Sequence, residues 1–393
     1  MPVSRDAGFM AEALRLGRMF RGHTAPNPAV GAVVVARGRV VGRGAHAGAG
    51  KPHAEVLALA EAGAAARGAT LYVTLEPCAH YGQTPPCAAA VVAAGVRRVV
   101  VGTLDPGPKV SGRGAAALAR VGVELTVGVH ERACRHLIED FATAVVRDRP
   151  WVTAKFAVTL DGKIATRTGD AAWVSGAAAR DVAHGLRWEH DAVLVGRGTV
   201  YADDPRLTAR LAGRDAREGP VRVIVATRGE LPPDARVFTE APAPSLWVAC
   251  TRRAGAAAVK RLTRRGAEVI MCAEDGGGVS LEDLLCRLRR RNVHSVLVEG
   301  GAALLGAFFD HGLIDGVSAF VAPKLFGGRR APSAVAGKGV AWAADAPALR
   351  ETTWRRLGAD MYCRGYLADV DTLFAALEAR TRALKGAPAG RDA

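Results

Sequence analysis

Aromatic residues make up only 5% of this chain, and lysine accounts for 8 of its 53 basic residues. No apolar run reaches the roughly 18 residues that a spanning helix needs, so no membrane segment is expected. Nor is there a dense Lys/Arg block or a basic stripe interleaved with aromatics. The net charge of +15 therefore does not read as a nucleic-acid surface. It could steer phosphorylated small molecules or a dinucleotide, although the Arg- and Ala-rich composition looks more like GC-rich coding bias. Cysteine is scarce too: seven, an odd number, and scattered. That excludes a disulfide framework and fits a reducing compartment. Cys134, Cys250, Cys272, Cys286 and Cys363 lie in apolar or helical contexts and are expected to be packing residues. The first residues, MPVSRDAGFMAEALRLG, are amphipathic rather than a charged head before an apolar block. No secretory leader is expected, and the cytoplasm is the expected compartment.

What is present is an ordinary globular composition, 49% hydrophobic and 23% charged, over 393 residues. That length suggests two or three domains. The first part alternates helix and strand. Phe9, Ala13, Gly17 and Phe20 share a helical face, and strands are expected at 30–36, 39–42, 71–75 and 98–101. Helices fit 55–66, 86–94, 114–121 and about 130–146, which together make an α/β/α sandwich. The charged break Arg147-Asp148-Arg149-Pro150 marks the boundary between a domain over 1–147 and one over 148–370, with 371–393 left as a tail. In the second domain, strands are expected at 151–158, 192–196, 221–226, 245–249 and 295–299. Its helices fit 177–188, 254–265, 281–291 and 302–311. Paired strands close it over 354–367, and a helix could begin near Thr372.

Cys78 and Cys87 belong to a larger constellation, His53-Ala54-Glu55 followed by Glu76-Pro77-Cys78. One imidazole and two thiolates suit Zn²⁺ and leave a fourth position for water, whose pKa falls to about 7 there. Glu55, two residues beyond the histidine, can reach that water without ligating the metal and can shuttle its proton. A His-x-Glu with two cysteines three apart marks the zinc nucleobase deaminases. Here the second cysteine is displaced, giving PCAHYGQTPPC. The alternative is a closed zinc knuckle, for which His80 is the one nearby fourth ligand.

These residues, with Pro26-Asn27-Pro28, Val30-Gly31 and Gly44-Ala45-His46, resemble the bifunctional deaminase/reductase of riboflavin biosynthesis. The wide cysteine spacing ending in Thr84-Pro85-Pro86-Cys87 separates that family from tRNA adenosine and cytidine deaminases. The second half has no G-x-G-x-x-G fingerprint. It has instead an apolar strand running into Glu299-Gly300-Gly301 before a helix, a turn that can bring phosphate to a helix N-terminus. Lys155-Phe156-Ala157, Thr159 to Ala165, Gly198-Thr199-Val200, Asp203-Asp204-Pro205, Leu207 and Pro323-Lys324-Leu325 look like the reductase half of the same family.

The resemblance implies a cytidine-deaminase-like α/β/α sandwich followed by a dihydrofolate-reductase-like α/β domain, with Zn²⁺ and NADPH as cofactors. It implies Asn27, His46 and His80 on the pyrimidine. Ala157, Trp173, Thr199, Asp203, Gly300 and Gly301 would lie along NADPH, with Thr227 and Arg228 at its 2′-phosphate, since arginine forks suit phosphate. Lys155, Ala171, Arg187, Leu207, Arg210 and Glu299 would hold a phosphoribosyl pyrimidine. Partners are expected to be such small molecules, with no nucleic acid and no membrane, and a homo-oligomer is expected because the fold pair commonly forms one. Gln83, Gly107, Ala171 and Ala226 depart from residues frequent in the family. They motivate a competing reading, a repurposed homologue of a secondary pathway. A base deaminase acting on nucleic acid with an unrelated rear domain is the other.

Overall fold

A computed structural model of the chain describes residues 5–79, 86–107, 110–239 and 244–377. Two compact units form, one from the chain up to Asp148 together with the segment from Val370, the other from Arg149–Asp369.

The first unit runs α1 (Arg5–Arg18), β1 (Gly31–Ala36), β2 (Arg39–Ala45), α2 (Ala54–Ala62), β3 (Thr70–Leu75), α3 (Cys87–Ala93), β4 (Arg98–Thr103), α4 (Arg113–Arg120), β5 (Glu124–Val127), α5 (Glu131–Leu137) and α6 (Glu139–Val146). Its sheet order is β2-β1-β3-β4-β5, antiparallel from β2 through β3 and parallel from β3 to β5. Val33 and Val34 of β1, like Leu71 and Val73 of β3, are fully buried. Such continuous apolar strands are what a sheet covered on both faces requires. Helix α1 packs on β1, β3 and α5, while α2, α3 and α4 form a second row. Helix α2 lies close on β2 because Gly42 and Gly44 have no side chain. A Cβ on Gly44 would stand 2.0 Å from the Ala54 carbonyl oxygen, and one on Gly42 2.1 Å from that of Ala58. The glycines thus fix where α2 begins.

Two sequence expectations change here. The helix over 130–146 is two helices, broken at Ile138 (φ −118, ψ 23). And the chain after 370 starts as part of the core rather than as a tail. Val370–Leu377 forms a 3₁₀ segment whose Val370, Leu373, Phe374 and Leu377 are buried. Arg135 Nη1 meets Asp371 Oδ1 at 2.7 Å, and its guanidinium lies 5.0 Å from the Phe374 ring. The alternation of this segment resembles any short amphipathic tail, so only the acceptor surface on α5 and α6 identifies it. Phe374 is 0% exposed, and Phe374→Ala is expected to cost about 3–5 kcal/mol through the cavity it leaves. Hydrogen exchange should then accelerate in α5 and α6 while Arg149–Asp369 stays protected. Equal protection in both proteins would remove the segment from the core.

The second unit runs β6 (Trp151–Thr159), α7 (Ala177–Trp188), β7 (Ala192–Gly196), α8 (Arg197–Asp203), β8 (Val221–Val225), α9 (Arg236–Thr239), β9 (Leu246–Cys250), α10 (Gly255–Arg264), β10 (Glu268–Met271), the short pair β11 (Glu274–Asp275) and β12 (Gly278–Val279), α11 (Leu281–Arg289), β13 (Ser295–Val298), α12 (Ala302–Asp310), β14 (Gly316–Ala322), β15 (Arg350–Leu357) and β16 (Asp360–Tyr366). Nine strands form one sheet in the order β10-β9-β8-β7-β13-β6-β14-β16-β15. It is parallel from β10 to β14 and antiparallel beyond. Successive side chains point to opposite faces of a strand. Leu194 and Val296 therefore join Leu284, Leu288 and Phe308 in one core. Val193 and Val195 join Leu262 and Ala258, while Leu297 joins Leu186 and Phe320. The sequence analysis leaves β5, β10 and β14 unassigned. Mixed burial explains this for β5 and β10. Strand β13 inserts between β6 and β7, so the chain reverses direction across the sheet there. In open α/β sheets, ligands bind beyond the carboxyl ends of strands at such a reversal.

Candidate active sites

In the first unit, His53 is the N-cap residue of α2 and Glu55 lies in its first turn. Cys78 follows β3, and Cys87 opens α3. Three separate elements therefore deliver the donors. His53 Nδ1 stands 2.9 Å from Cys87 Sγ and 3.8 Å from Cys78 Sγ, and the Cys87 N–H donates to Cys78 Sγ at 3.3 Å. All three ligand atoms lie within 4.8 Å of one another. Among the described residues they are the one His/Cys/Asp/Glu group able to hold a metal ion. Ligands about 2.0–2.3 Å from a tetrahedral ion stand about 3.3–3.8 Å apart. The donor chemistry and the 3.8 Å His53–Cys78 spacing fit zinc, and the 2.9 Å His53–Cys87 contact would open by a few tenths of an ångström around the ion.

The electrostatics of the trio match that use. Hydrogen bonding from Cys87, then from His53, pulls the Cys78 thiol down to about 4 against the effect of burial. The same contact with Cys78, reinforced by burial, pushes the Cys87 thiol well above its ordinary range. Glu55 is buried, and desolvation raises its carboxyl to about 7. That value suits a group which both takes and gives a proton near neutral pH.

Asn27 and His46 stand beside this group. Burial lowers the His46 pKa, so its ring is neutral. Nδ1–H donates to the Pro52 carbonyl at 3.2 Å, which leaves Nε2 to accept from Asn27 Nδ2 at 3.0 Å. The His46 ring meets His53 edge-on with centroids 5.2 Å apart. His80 and Gln83 lie outside the described residues. Two buried carboxyls that the sequence analysis misses frame the Cys78 loop. Glu76 Oε1 accepts from the Gly112 N–H at 2.6 Å, and Asp105 Oδ1 accepts from the Gly107 N–H at 2.6 Å. Burial raises Glu76 to about 7 and Asp105 to about 6. The Glu-Pro-Cys motif carries the signal for the first, and the Asp-Pro-Gly turn for the second.

In the second unit Thr199, Thr227 and Glu299 follow the carboxyl ends of β7, β8 and β13. Arg187 donates from Nε and Nη2 to the two oxygens of Glu299 at 2.6 and 2.7 Å, and from Nη1 to the Thr208 carbonyl at 3.0 Å. Lys155 Nζ stands 3.7 Å from Glu299. Burial alone would raise Glu299, yet Arg187 and Lys155 outweigh it and hold the carboxyl at about 2. Arg210 Nη1 donates to Thr208 Oγ1 at 3.2 Å, and its backbone N–H to His184 Nδ1 at 3.4 Å. Burial, then Arg187 and Arg210, bring His184 down to about 4. Leu207 is buried at φ 59. Ala157 and Ala171 are half-buried.

Gly300 takes φ 114, a conformation side chains disfavour. A Cβ on Gly301 would come within 3.3 Å of Thr199 Oγ1. The turn thereby presses against α8, and Gly301 caps α12. Asp203 closes α8 and is exposed. Trp173 is 67% exposed, under the Arg180 guanidinium at 4.3 Å, with its carbonyl accepting from Lys324 at 2.6 Å. Thr227 and Arg228 line a cavity of about 460 Å³ that also touches Gly198 next to Thr199. Arg197, Tyr201 and Arg253 complete its wall. Sequence reasoning misses all three, although Arg253 follows the carboxyl end of β9, where such residues are to be sought.

Comparison with known proteins agrees with both halves. Residues 3–103 match the family described as the cytidine and deoxycytidylate deaminase zinc-binding region, and residues 150–363 the RibD C-terminal domain. The chain is 45% identical to the riboflavin biosynthesis protein RibD of Aquifex aeolicus over 82% of this chain and 88% of that protein. Against the RibD protein of Bacillus amyloliquefaciens the identity is 41%, over 90% and 94%. The solved structure of Acinetobacter baumannii RibD superposes with a TM-score of 0.81 at 36% identity, covering 93% of this chain and 99% of that one. The diaminohydroxyphosphoribosylaminopyrimidine deaminase/5-amino-6-(5-phosphoribosylamino)uracil reductase of Thermotoga maritima gives 0.79 at 36%, covering 92% and 98%.

Proposed function

The chain belongs to the RibD family of riboflavin biosynthesis proteins, and from that premise we propose how its two units divide a deamination and a reduction. It is a bifunctional enzyme, a zinc-dependent pyrimidine deaminase in front and an NADPH-dependent reductase behind. The proposed first substrate is 2,5-diamino-6-(5-phosphoribosylamino)pyrimidin-4(3H)-one. The second is its deaminated product, 5-amino-6-(5-phosphoribosylamino)uracil, whose ribosyl group becomes ribityl. The observation that carries this is the close grouping of His53, Cys78 and Cys87, with Glu55 buried in the first turn of the helix that His53 caps.

His53, Cys78 and Cys87 would hold zinc, which when bound would supply a water acidified to a pKa of about 7. Glu55 would carry a proton from that water to the departing amino nitrogen. Burial supports the double role by placing its carboxyl near neutrality. Asn27, oriented by neutral His46, faces the pyrimidine with fixed amide polarity, and His80 is proposed to join them.

NADPH supplies the hydride in the second unit. Gly300 and Gly301 let its phosphates approach the α12 N-terminus. Thr199, Asp203, Ala157 and Trp173 border it, and Thr227 and Arg228 take its 2′-phosphate end. Lys155, Arg187, Arg210 and Glu299 hold the phosphoribosyl group, with Ala171 and Leu207 alongside. Arg187 also fixes Glu299 through two of its five N–H donors, and the second N–H on each of Nη1 and Nη2 is left for substrate. The chain's task is to put the nicotinamide beside the ribosyl C1′ and keep it there. A domain boundary at 147/148, a cytoplasmic location and a homo-oligomeric working state are proposed with it. Among the described residues no helix is long and apolar enough to cross a membrane.

Incubation with the diaminopyrimidine, read by mass spectrometry, tests the assignment. The deaminated product alone is expected without NADPH, and the ribityl product once NADPH is added. Recovery of unchanged substrate from zinc-loaded protein in both incubations would refute it.

A further inference from the structure

The cavity beside Thr227 carries more positive charge than the sequence reading gives it. Arg197, Arg228 and Arg253 all line it. Strand β8 ends at Val225 and Ala226 follows it in the cavity wall, so the wall has no carboxylate at that point. An acid in this place suits a ribose 2′-hydroxyl and repels a 2′-phosphate.

The three arginines are not equally available. Arg197 is drawn toward Glu230 at 3.7 Å and lies over the Tyr201 ring at 4.9 Å. Arg228 is exposed and, among the described residues, makes no ion pair or hydrogen bond. Arg253 is anchored through one nitrogen only. Its Nη1 donates to the Gly277 carbonyl at 2.8 Å and meets Glu274 Oε1 at 3.3 Å. Among the described residues nothing engages Nε or Nη2. The anchor fixes the plane of the guanidinium and leaves the Nε/Nη2 edge free, which is the fork that matches two phosphate oxygens. Its base is also set: Thr251 Oγ1 accepts from the Arg253 N–H at 3.3 Å, and the Thr251 N–H donates to the Thr227 carbonyl at 3.1 Å. Backbone bonding thus joins the Arg253 loop to the Thr227-Arg228 turn.

We propose that Arg253 is a specificity-determining residue of the reductase, presenting its free fork opposite Arg228 so that the cavity selects NADPH over NADH. This rests on the cofactor assignment above and adds to it the residue that makes the choice. Arg228 alone is a flexible cation. Arg253 is the arginine held in place before the ligand arrives, and preorganisation is what converts charge into selectivity.

The test uses the full-length enzyme and compares NADPH and NADH as donors to the deaminated substrate. It also measures the affinity of each by titration of nicotinamide fluorescence. For Arg253→Ala, NADPH affinity is expected to fall at least about tenfold, the scale of a charged hydrogen-bonded pair, while NADH affinity is unchanged. Arg253→Lys should recover only part of the loss, because it keeps the charge and gives up the fork. Equal losses for both dinucleotides would assign Arg253 to holding the 274–277 turn and overturn the proposal, as would undiminished NADPH binding. A wild-type enzyme that binds neither dinucleotide would instead sink the cofactor assignment itself, and this inference with it.

Discussion

Glu55→Gln is expected to lower ammonia release by about 10²–10⁴-fold, the usual share of a positioned acid–base group, while leaving zinc content unchanged. The three donor atoms come from His53, Cys78 and Cys87, and glutamine keeps the shape of the buried side chain. What it removes is a carboxyl that burial has tuned to about 7. Supplied with already deaminated substrate, the variant should oxidise NADPH at the wild-type rate, because Glu55 belongs to the first unit and the reductase residues to the second. Metal analysis, an ammonia assay and NADPH absorbance read the three quantities separately. Parallel loss of both activities would contradict independent sites. Loss of zinc would make Glu55 a fourth ligand and the centre a closed one.

Arg187→Met is expected to destabilise the second unit by about 3–5 kcal/mol at neutral pH, the cost of leaving a buried carboxylate without its partner. Glu299 is only 6% exposed, and Arg187 makes two of its hydrogen bonds. Lys155 at 3.7 Å remains but cannot replace a bidentate fork. The pH dependence has a definite sign. The folded Glu299 carboxyl sits near 2, below its ordinary 4.5. Its contribution is therefore present above pH 4.5 and is lost as pH falls through 2. In Arg187→Met, burial is no longer outweighed, Glu299 takes up a proton at higher pH, and the deficit against wild type shrinks as the solution is acidified. Urea melts of the second unit at pH 7 and pH 4 measure the two deficits. The double variant Arg187→Met/Glu299→Gln should regain much of the stability but not the reductase activity. A single variant as stable as wild type at pH 7 would show that the pair contributes little.

The zinc constellation was legible in the sequence because its chemistry is local. His53 and Glu55 share one helix start, and a strand followed by Pro-Cys is a recognisable way to present a thiolate. Most strands were legible too, since a strand buried on both faces must be written as an apolar run. Segments with mixed burial escaped: β5 and β10 carry no such run, and the Ile138 break falls between two good helical stretches. The part Arg253 plays in the cavity escaped for a different reason. Arg228 and Arg253 are 25 positions apart, Arg253 looks like ordinary surface charge, and only the parallel pairing of β8 with β9 puts their strand ends side by side. Phe374 likewise gains its meaning from a surface more than 200 residues earlier in the chain.

By itself the sequence pointed to a front and a rear unit, to the proposed metal ligands and to the proposed proton carrier, because these depend on residue type and short spacing. Tertiary structure alone decided the rest: that Arg187 pairs with Glu299, that Arg228 and an anchored Arg253 line one cavity, and that the chain's last described turn returns to the first unit. Those facts turn on burial and on which strand ends become neighbours, and neither is a property of any short stretch of chain.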